Sequence, residues 1–334
     1  MKIIKFLSML VLMAVLVSAF CSCSPLSSTK EEKEIVMTVG DYRVPYEIYY
    51  YISENLKADM PDADAETIES EVFETVKTLY AVFALGEDFG IEWDDEYINS
   101  VADDKAKLAI EECGGKDEYK KALAESNMND SVYRFLERHS KTADEILSAI
   151  IDSEEYHLDD ESAKSLVMSD VFACVKQILV VNENSVTTDE ELSFSAPEKH
   201  TDEEALAIAE KAHSEAVAGA DFDSLVNEYG EALYMFNNTD GYYLCRGMWD
   251  SVNEDAVFAL GVGEISEVIE SEKGYSVFLR CEKDEKYVEN NIDTLANNYY
   301  RGVYNILLQE KIDSLTVVTN DVYDGYVNGE ITEK

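Results

Sequence analysis

From Ile35 to Val44 apolar and polar residues alternate around Gly40-Asp41, the pattern of a small hairpin. Pro45 then opens a helix carrying Tyr46, Ile48, Tyr49, Tyr50 and Ile52. Between Ala65 and Phe89 apolar residues recur at spacings of three and four (Ile68, Val72, Val76, Leu79, Val82, Phe83), which predicts a second helix stopping at Gly90. Asp94 or Asp95 caps a third helix towards Glu112, and Gly114-Gly115 breaks the chain. A short helix over Asp117 to Ala124 and a longer one from Asn129-Asp130 through Tyr133, Leu136, Ile146 and Ile150 make residues 45–170 almost wholly helical.

The pattern changes near Val171. Val175 to Val181 is a compact β-rich run, followed by a polar, strand-poor stretch through Pro197. Helices are predicted over Asp202 to Gly219 and Phe222 to Tyr229, and a turn-rich segment around Asn237 to Gly241 precedes Tyr242-Tyr243-Leu244. Glu254 to Leu260 reads as a short helix and Tyr275 to Cys281 as a strand, an order that indicates a small α+β domain. Val288 to Leu315 is a long amphipathic helix, and Thr316 to Thr319 is β-like.

Before all of this, Lys2 and Lys5 precede an apolar run from Phe6 to Phe20 and then Cys21-Ser22-Cys23-Ser24. A charged start, a short apolar stretch and small residues at its end read as a secretory signal over residues 1–23. Cys23, preceded by small Ser22, is the better position for lipid attachment than Cys21, which follows bulky Phe20. Residues 24–34 then form a polar, flexible tether. Simple secretion and an uncleaved anchor are the other readings of this segment.

Charge changes the picture of partners. The chain carries 70 acidic and 27 basic residues, a net charge of −43. Such a surface repels phosphate backbones and argues against nucleic-acid binding. Removing residues 1–23 would delete two lysines and no acid, making it more negative still. A hydrophobic content of 46% and 21 tyrosines nevertheless supply real cores. Cys113, Cys174, Cys245 and Cys281 form no C-x-x-C pair and no loop has calcium-ligand spacing, so no metal and no cofactor is expected.

Two groups of segments resemble the PrsA/SurA group of extracytoplasmic foldases. In the helical part these are Val39 to Pro45, Phe89 to Ile98 and Gly114 to Leu123. In the second part Val175 to Val180, Ala220 to Tyr229, Phe258 to Ile269 and Lys273 to Leu279 resemble a parvulin-type peptidyl-prolyl isomerase domain. The resemblance implies an α+β protein: a mostly helical SurA-N-like chaperone lobe at 35–170, an inserted parvulin-like domain of four antiparallel strands plus helices at 171–286, and a C-terminal helix at 287–334 returning to the lobe. It further implies an extracytoplasmic, lipid-anchored protein on the outer face of the cell membrane. Its partners would be unfolded or newly exported polypeptides.

Parvulins hold proline in an apolar pocket beside a polar cluster containing two histidines. At the corresponding positions this chain has Gln177 and Ser276, with the intermediate group at Glu231 or Ala232. His139, His157, His200 and His213 all lie elsewhere. Glutamine and serine hydrogen-bond but do not titrate near neutrality. Leu244, Met248, Trp249, Phe258 and Tyr275 are the candidate pocket residues, each with a plainer reading as core, and Asn253 stands where an aromatic is expected. Weak or lost isomerase activity follows as the expectation. An active isomerase with a divergent cluster and a non-catalytic docking lipoprotein are the alternatives. The first and last strands of a parvulin are antiparallel neighbours, which would set Cys174 opposite Cys281 and permit a disulfide in an external compartment.

Overall fold

The computed structural model describes residues 34–185, 200–236 and 238–327. The expected signal peptide, its lipid-accepting Cys23, the tether up to residue 33 and most of the polar stretch to Pro197 lie outside the described residues. Among the described residues no helix is long and apolar enough to cross a membrane.

In chain order the elements are β1 (Ile35–Val39), β2 (Tyr42–Pro45), α1 (Tyr46–Asp59), α2 (Ala65–Asp88), α3 (Glu96–Glu112), α4 (Lys116–Glu125), α5 (Asp130–Asp152) and α6 (Asp160–Met168). They continue with β3 (Phe172–Val180), α7 (Asp202–Val217), α8 (Phe222–Tyr229), β4 (Tyr242–Cys245), α9 (Ser251–Ala259), β5 (Ile269–Ser271) and β6 (Gly274–Cys281). The last are α10 (Glu285–Asn290), α11 (Ile292–Ser314), β7 (Val317–Thr319) and α12 (Asp321–Val327). The chain is mostly helical, with one four-stranded antiparallel sheet of order β4-β3-β6-β5 and a smaller sheet of order β2-β1-β7.

Two compact units result. One is discontinuous, made from the residues before 150 together with those after 306; the other comprises residues 150–306. In the discontinuous unit β1 pairs with β2 across a turn in which Gly40 has φ 54°, and with β7 on its other side. Val36, Met37 and Val39 sit in one core with Ile52, Val72, Val76, Phe83 and Phe135. Tyr323 of α12, within the C-terminal segment 287–334 expected to return to this lobe, fills the same core. Asp64 and Asp95 cap α2 and α3 by accepting backbone N–H bonds from Thr67 and from Tyr97 and Ile98. Such caps satisfy donors that the first helical turn leaves open.

The second unit is built on β3, which is buried along nearly its whole length. Alternation sorts its residues between the two faces of the sheet. Ile178 and Val180 on β3, with Tyr275 and Val277 on β6, lie under α8 and under α7, where the small residues Ala205, Ala209 and Ala212 of α7 allow close approach. On the opposite face Ala173, Val175, Leu244 and Phe278 pack with Val257 of α9. Residues 150–170 and 287–306 group with this sheet, because Val167, Val288 and Leu295 share a core with Phe172, Tyr243 and Cys245.

Several element bounds differ from the sequence expectation for local reasons. α6 is separate from α5, since Asp159 and Ser162 form a reciprocal cap at its start. α9 begins at Ser251 rather than Glu254, because Asp250 accepts from the Asn253 N–H at 3.0 Å. The C-terminal helix is interrupted at Asn291, whose side chain donates to the Tyr287 carbonyl at 2.8 Å. The fourth strand, β5, is only three residues long and pairs with β6 through Ile269↔Ser276 and Ser271↔Gly274.

Candidate functional site

Gln177 and Ser276 come together on the α9 side of the sheet. They sit diagonally on neighbouring strands, Gln177 facing Phe278 and Ser276 facing Leu179 in the register. The Gln177 Nε2 donates to Ser276 Oγ at 2.9 Å, and both residues are buried, at 2% and 0% exposure. The third member is Tyr234, in a single helical turn at Leu233–Met235. Its hydroxyl donates to Gln177 Oε1 at 2.5 Å. Gln177 thus uses one end of its amide as acceptor and the other as donor, an ordered relay of neutral groups.

Glu231 lies elsewhere. Its Oε2 accepts from the Val181 N–H at 2.6 Å and its Oε1 lies 3.1 Å from His200 Nε2. The Glu231 N–H donates to the Leu179 carbonyl at 2.9 Å. These bonds fix the chain just beyond the end of β3, and of the two it is Tyr234, not Glu231, that hydrogen-bonds Gln177. The signal that marks Tyr234 is modest: a tyrosine three residues past a glutamate, where α8 has ended and no periodicity sets the register.

Of the candidate pocket residues, the structure groups four. Leu244 is fully buried in the sheet core. Trp249 stacks on Tyr242 with ring centroids 5.2 Å apart and on Phe278 at 5.9 Å, and lies 6.3 Å from the Tyr234 ring. Met248 packs beside it. Phe258 is covered by two guanidinium groups, Arg246 at 4.5 Å and Arg280 at 5.7 Å from the ring centroid. Tyr275 is not part of this group: it faces the other side of the sheet, 4% exposed under α7, with its hydroxyl donating to Asp202 Oδ1 at 2.9 Å. Strand alternation is the reason, since adjacent residues 275 and 276 must point to opposite faces.

Two polar residues hold the aromatic segment in place. Glu254 is buried and accepts from the Trp249 N–H at 2.8 Å, with further backbone bonds from Gly247 and Met248; burial raises its carboxyl pKa above the usual value. Asn253, at the position expected to be aromatic, donates through Nδ2 to Asp250 Oδ2 at 2.7 Å and Ser271 Oγ at 3.1 Å, joining the start of α9 to β5. Among the described residues no group of three or more His, Cys, Asp or Glu side chains is placed to hold a metal ion.

Residues 187–282 match the family model described as the PPIC-type PPIASE domain, Rotamase. The span includes Tyr234, Trp249, Phe258 and Ser276 but not Gln177, which precedes it. No curated protein matches the chain. Among solved structures, the chain is similar to the peptidyl-prolyl isomerase ESS1 from Candida albicans, at 24% identity over 41% of this chain and 76% of that one, with a TM-score of 0.30. It is similar to peptidylprolyl isomerase (PrsA) from Bacillus anthracis at 17% identity, covering 71% and 95% with a TM-score of 0.35. It is also similar to foldase protein PrsA from Streptococcus pneumoniae at 15% identity, covering 90% and 100% with a TM-score of 0.33. Over residues 187–282 the chain carries a parvulin-type, PPIC-type peptidyl-prolyl isomerase domain.

Proposed function

We propose that the chain is an extracytoplasmic foldase, lipid-anchored through Cys23, that holds newly exported polypeptides and retains weak or no isomerase activity. In this reading the chaperone lobe expected over residues 35–170 and 287–334 has its compact part before residue 150 and after residue 306. The parvulin-like domain expected over 171–286 lies in the unit that also takes in residues 150–170 and 287–306. Leu244, Met248, Trp249 and Phe258 line what remains of the proline site. Clients engage through apolar surface, which limits association of exposed hydrophobic segments.

One observation carries the doubt about catalysis: the Tyr234–Gln177–Ser276 chain of neutral, internally paired groups. Rotation about an X-Pro amide faces a barrier of about 18–20 kcal/mol. Lowering it requires donors aimed at the twisted amide, and here Gln177 donates to Ser276 while its carbonyl oxygen accepts from Tyr234. Among the described residues the two bonds of this relay join only an amide and two hydroxyls, with no imidazole between them. The same connected relay favours a second reading, an active isomerase in which Tyr234 takes the role of the usual acid.

The deciding experiment measures isomerisation of proline peptides by the chain lacking residues 1–23, beside suppression of aggregation of several unrelated unfolded proteins. Aggregation suppression with negligible isomerisation supports the foldase. Robust turnover abolished by Tyr234→Phe or Gln177→Ala establishes the second reading. Activity towards neither leaves a dedicated docking role and refutes the proposal.

A further inference from the structure

On the face of the sheet opposite Gln177 and Ser276, two cysteines face each other across the central strands. Cys174 on β3 pairs in register with Cys281 on β6. Directly opposed antiparallel residues have Cα atoms about 4.5–5.5 Å apart. A disulfide needs roughly 4.4–6.8 Å, so this register meets its main geometric demand without backbone movement. Both are free thiols at facing register positions, Cys174 fully buried and Cys281 partly exposed. Their remaining contacts are weak: the Cys174 thiol donates to the Asp240 carbonyl at 3.3 Å and the Cys281 thiol to the Leu279 carbonyl at 3.6 Å.

We propose that Cys174 and Cys281 are a modification site, closing to an intramolecular disulfide across the β3–β6 ladder when the folded chain meets a small-molecule disulfide. The two thiols have distinct roles. Cys281 is reachable from solvent, and the Cys174 thiol together with nearby Lys176 favours its thiolate; the neighbouring Cys281 and then burial push Cys174 the other way. The Cys281 thiolate attacks the external S–S bond, forming a mixed disulfide and expelling one thiolate, which takes up a proton. Cys174 then loses its proton and attacks the Cys281 sulfur, forming the Cys174–Cys281 bond and expelling the second small thiol. The chain is oxidised by two electrons and the external disulfide is reduced to two thiols. Neither Cys113 nor Cys245 shares this arrangement: Cys113 lies in the discontinuous unit, and Cys245 is buried and directed at the Asn298 carbonyl at 3.6 Å.

The test incubates the native full chain with oxidised glutathione, blocks remaining thiols, and maps cysteine peptides by mass spectrometry. A linked Cys174–Cys281 peptide formed without denaturant, reversed by dithiothreitol, is the expected result. Cys174→Ser should stop at a glutathione adduct on Cys281, whereas Cys281→Ser should leave Cys174 unmodified. Oxidation should also raise the thermal midpoint by several degrees, because the bond closes a loop of roughly a hundred residues. Both cysteines remaining free, linkage to another cysteine, or linkage only after unfolding would each overturn the proposal. The wild-type map decides the question even if a variant folds poorly.

Discussion

If Tyr234, Gln177 and Ser276 form one network, truncating Gln177 and Ser276 separately should cost more than truncating both in proportion. Gln177→Ala removes two buried hydrogen bonds, at 2.5 and 2.9 Å, and leaves the Ser276 hydroxyl without its donor. At about 1 kcal/mol net per bond, plus lost packing, the expected cost is roughly 3 kcal/mol. Ser276→Ala removes one of those bonds and strands the Gln177 amide, costing about 1–2 kcal/mol. Because the Gln177–Ser276 bond is lost in both single variants, the double variant should recover a coupling of about 1 kcal/mol. Tyr234→Phe should couple to Gln177→Ala by a similar amount, and less to Ser276→Ala, which it reaches through the glutamine. Urea unfolding followed by Trp249 fluorescence in a Trp93→Phe background measures each corner, since Trp249 stacks on Phe278 beside the network. Additivity within about 0.3 kcal/mol would show that the three groups do not act together and would remove the argument against catalysis.

Two further outcomes test the packing. His139 is buried, its Nε2 has no hydrogen-bond partner among the described residues, and burial lowers its pKa to about 4. Between about pH 6.5 and pH 4 the unfolded chain binds a proton that the folded chain does not, so stability falls as pH falls through that window. Wild type should lose about 3 kcal/mol more than His139→Leu on acidification from pH 6.5 to 4, measured by denaturant unfolding at each pH; parallel profiles would refute this. Gly302 lies within α11, where alanine would ordinarily gain about 1 kcal/mol. A Cβ there would stand 2.4 Å from the Arg246 carbonyl oxygen and 3.1 Å from Cys245 Sγ, so Gly302→Ala should instead destabilise by about 2 kcal/mol or more, while Asn297→Ala on the exposed side of α11 is neutral or slightly stabilising. A thermal melt showing Gly302→Ala unchanged would contradict that close approach.

What the sequence revealed depended on whether periodicity was available. The three-and-four spacing from Ile68 to Phe83 marks α2 because its apolar stripe is the part packed in the core. Gln177 and Ser276 were placed by strands long enough to hold register, and they meet within hydrogen-bond distance. Glu231 and Tyr234 lie in a short irregular turn, where a slip of three residues changes which side chain reaches Gln177. Tyr275, a pocket candidate with a plainer reading as packing, lies on the other face of the sheet from Ser276, as period-two alternation requires. The β5 strand and the break at Asn291 left no hydrophobic pattern, since one is three residues long and the other rests on a single side-chain bond.

The discontinuous unit has a consequence for biosynthesis. β1 lacks its β7 neighbour, and the core lacks Tyr323, until residues 317–327 have left the ribosome. The unit spanning 150–306 has by then been delivered whole. Vectorial delivery therefore completes the insert before its host, and a nascent chain stalled before Val317 would display the hairpin with an open strand edge, a ready template for stray pairing.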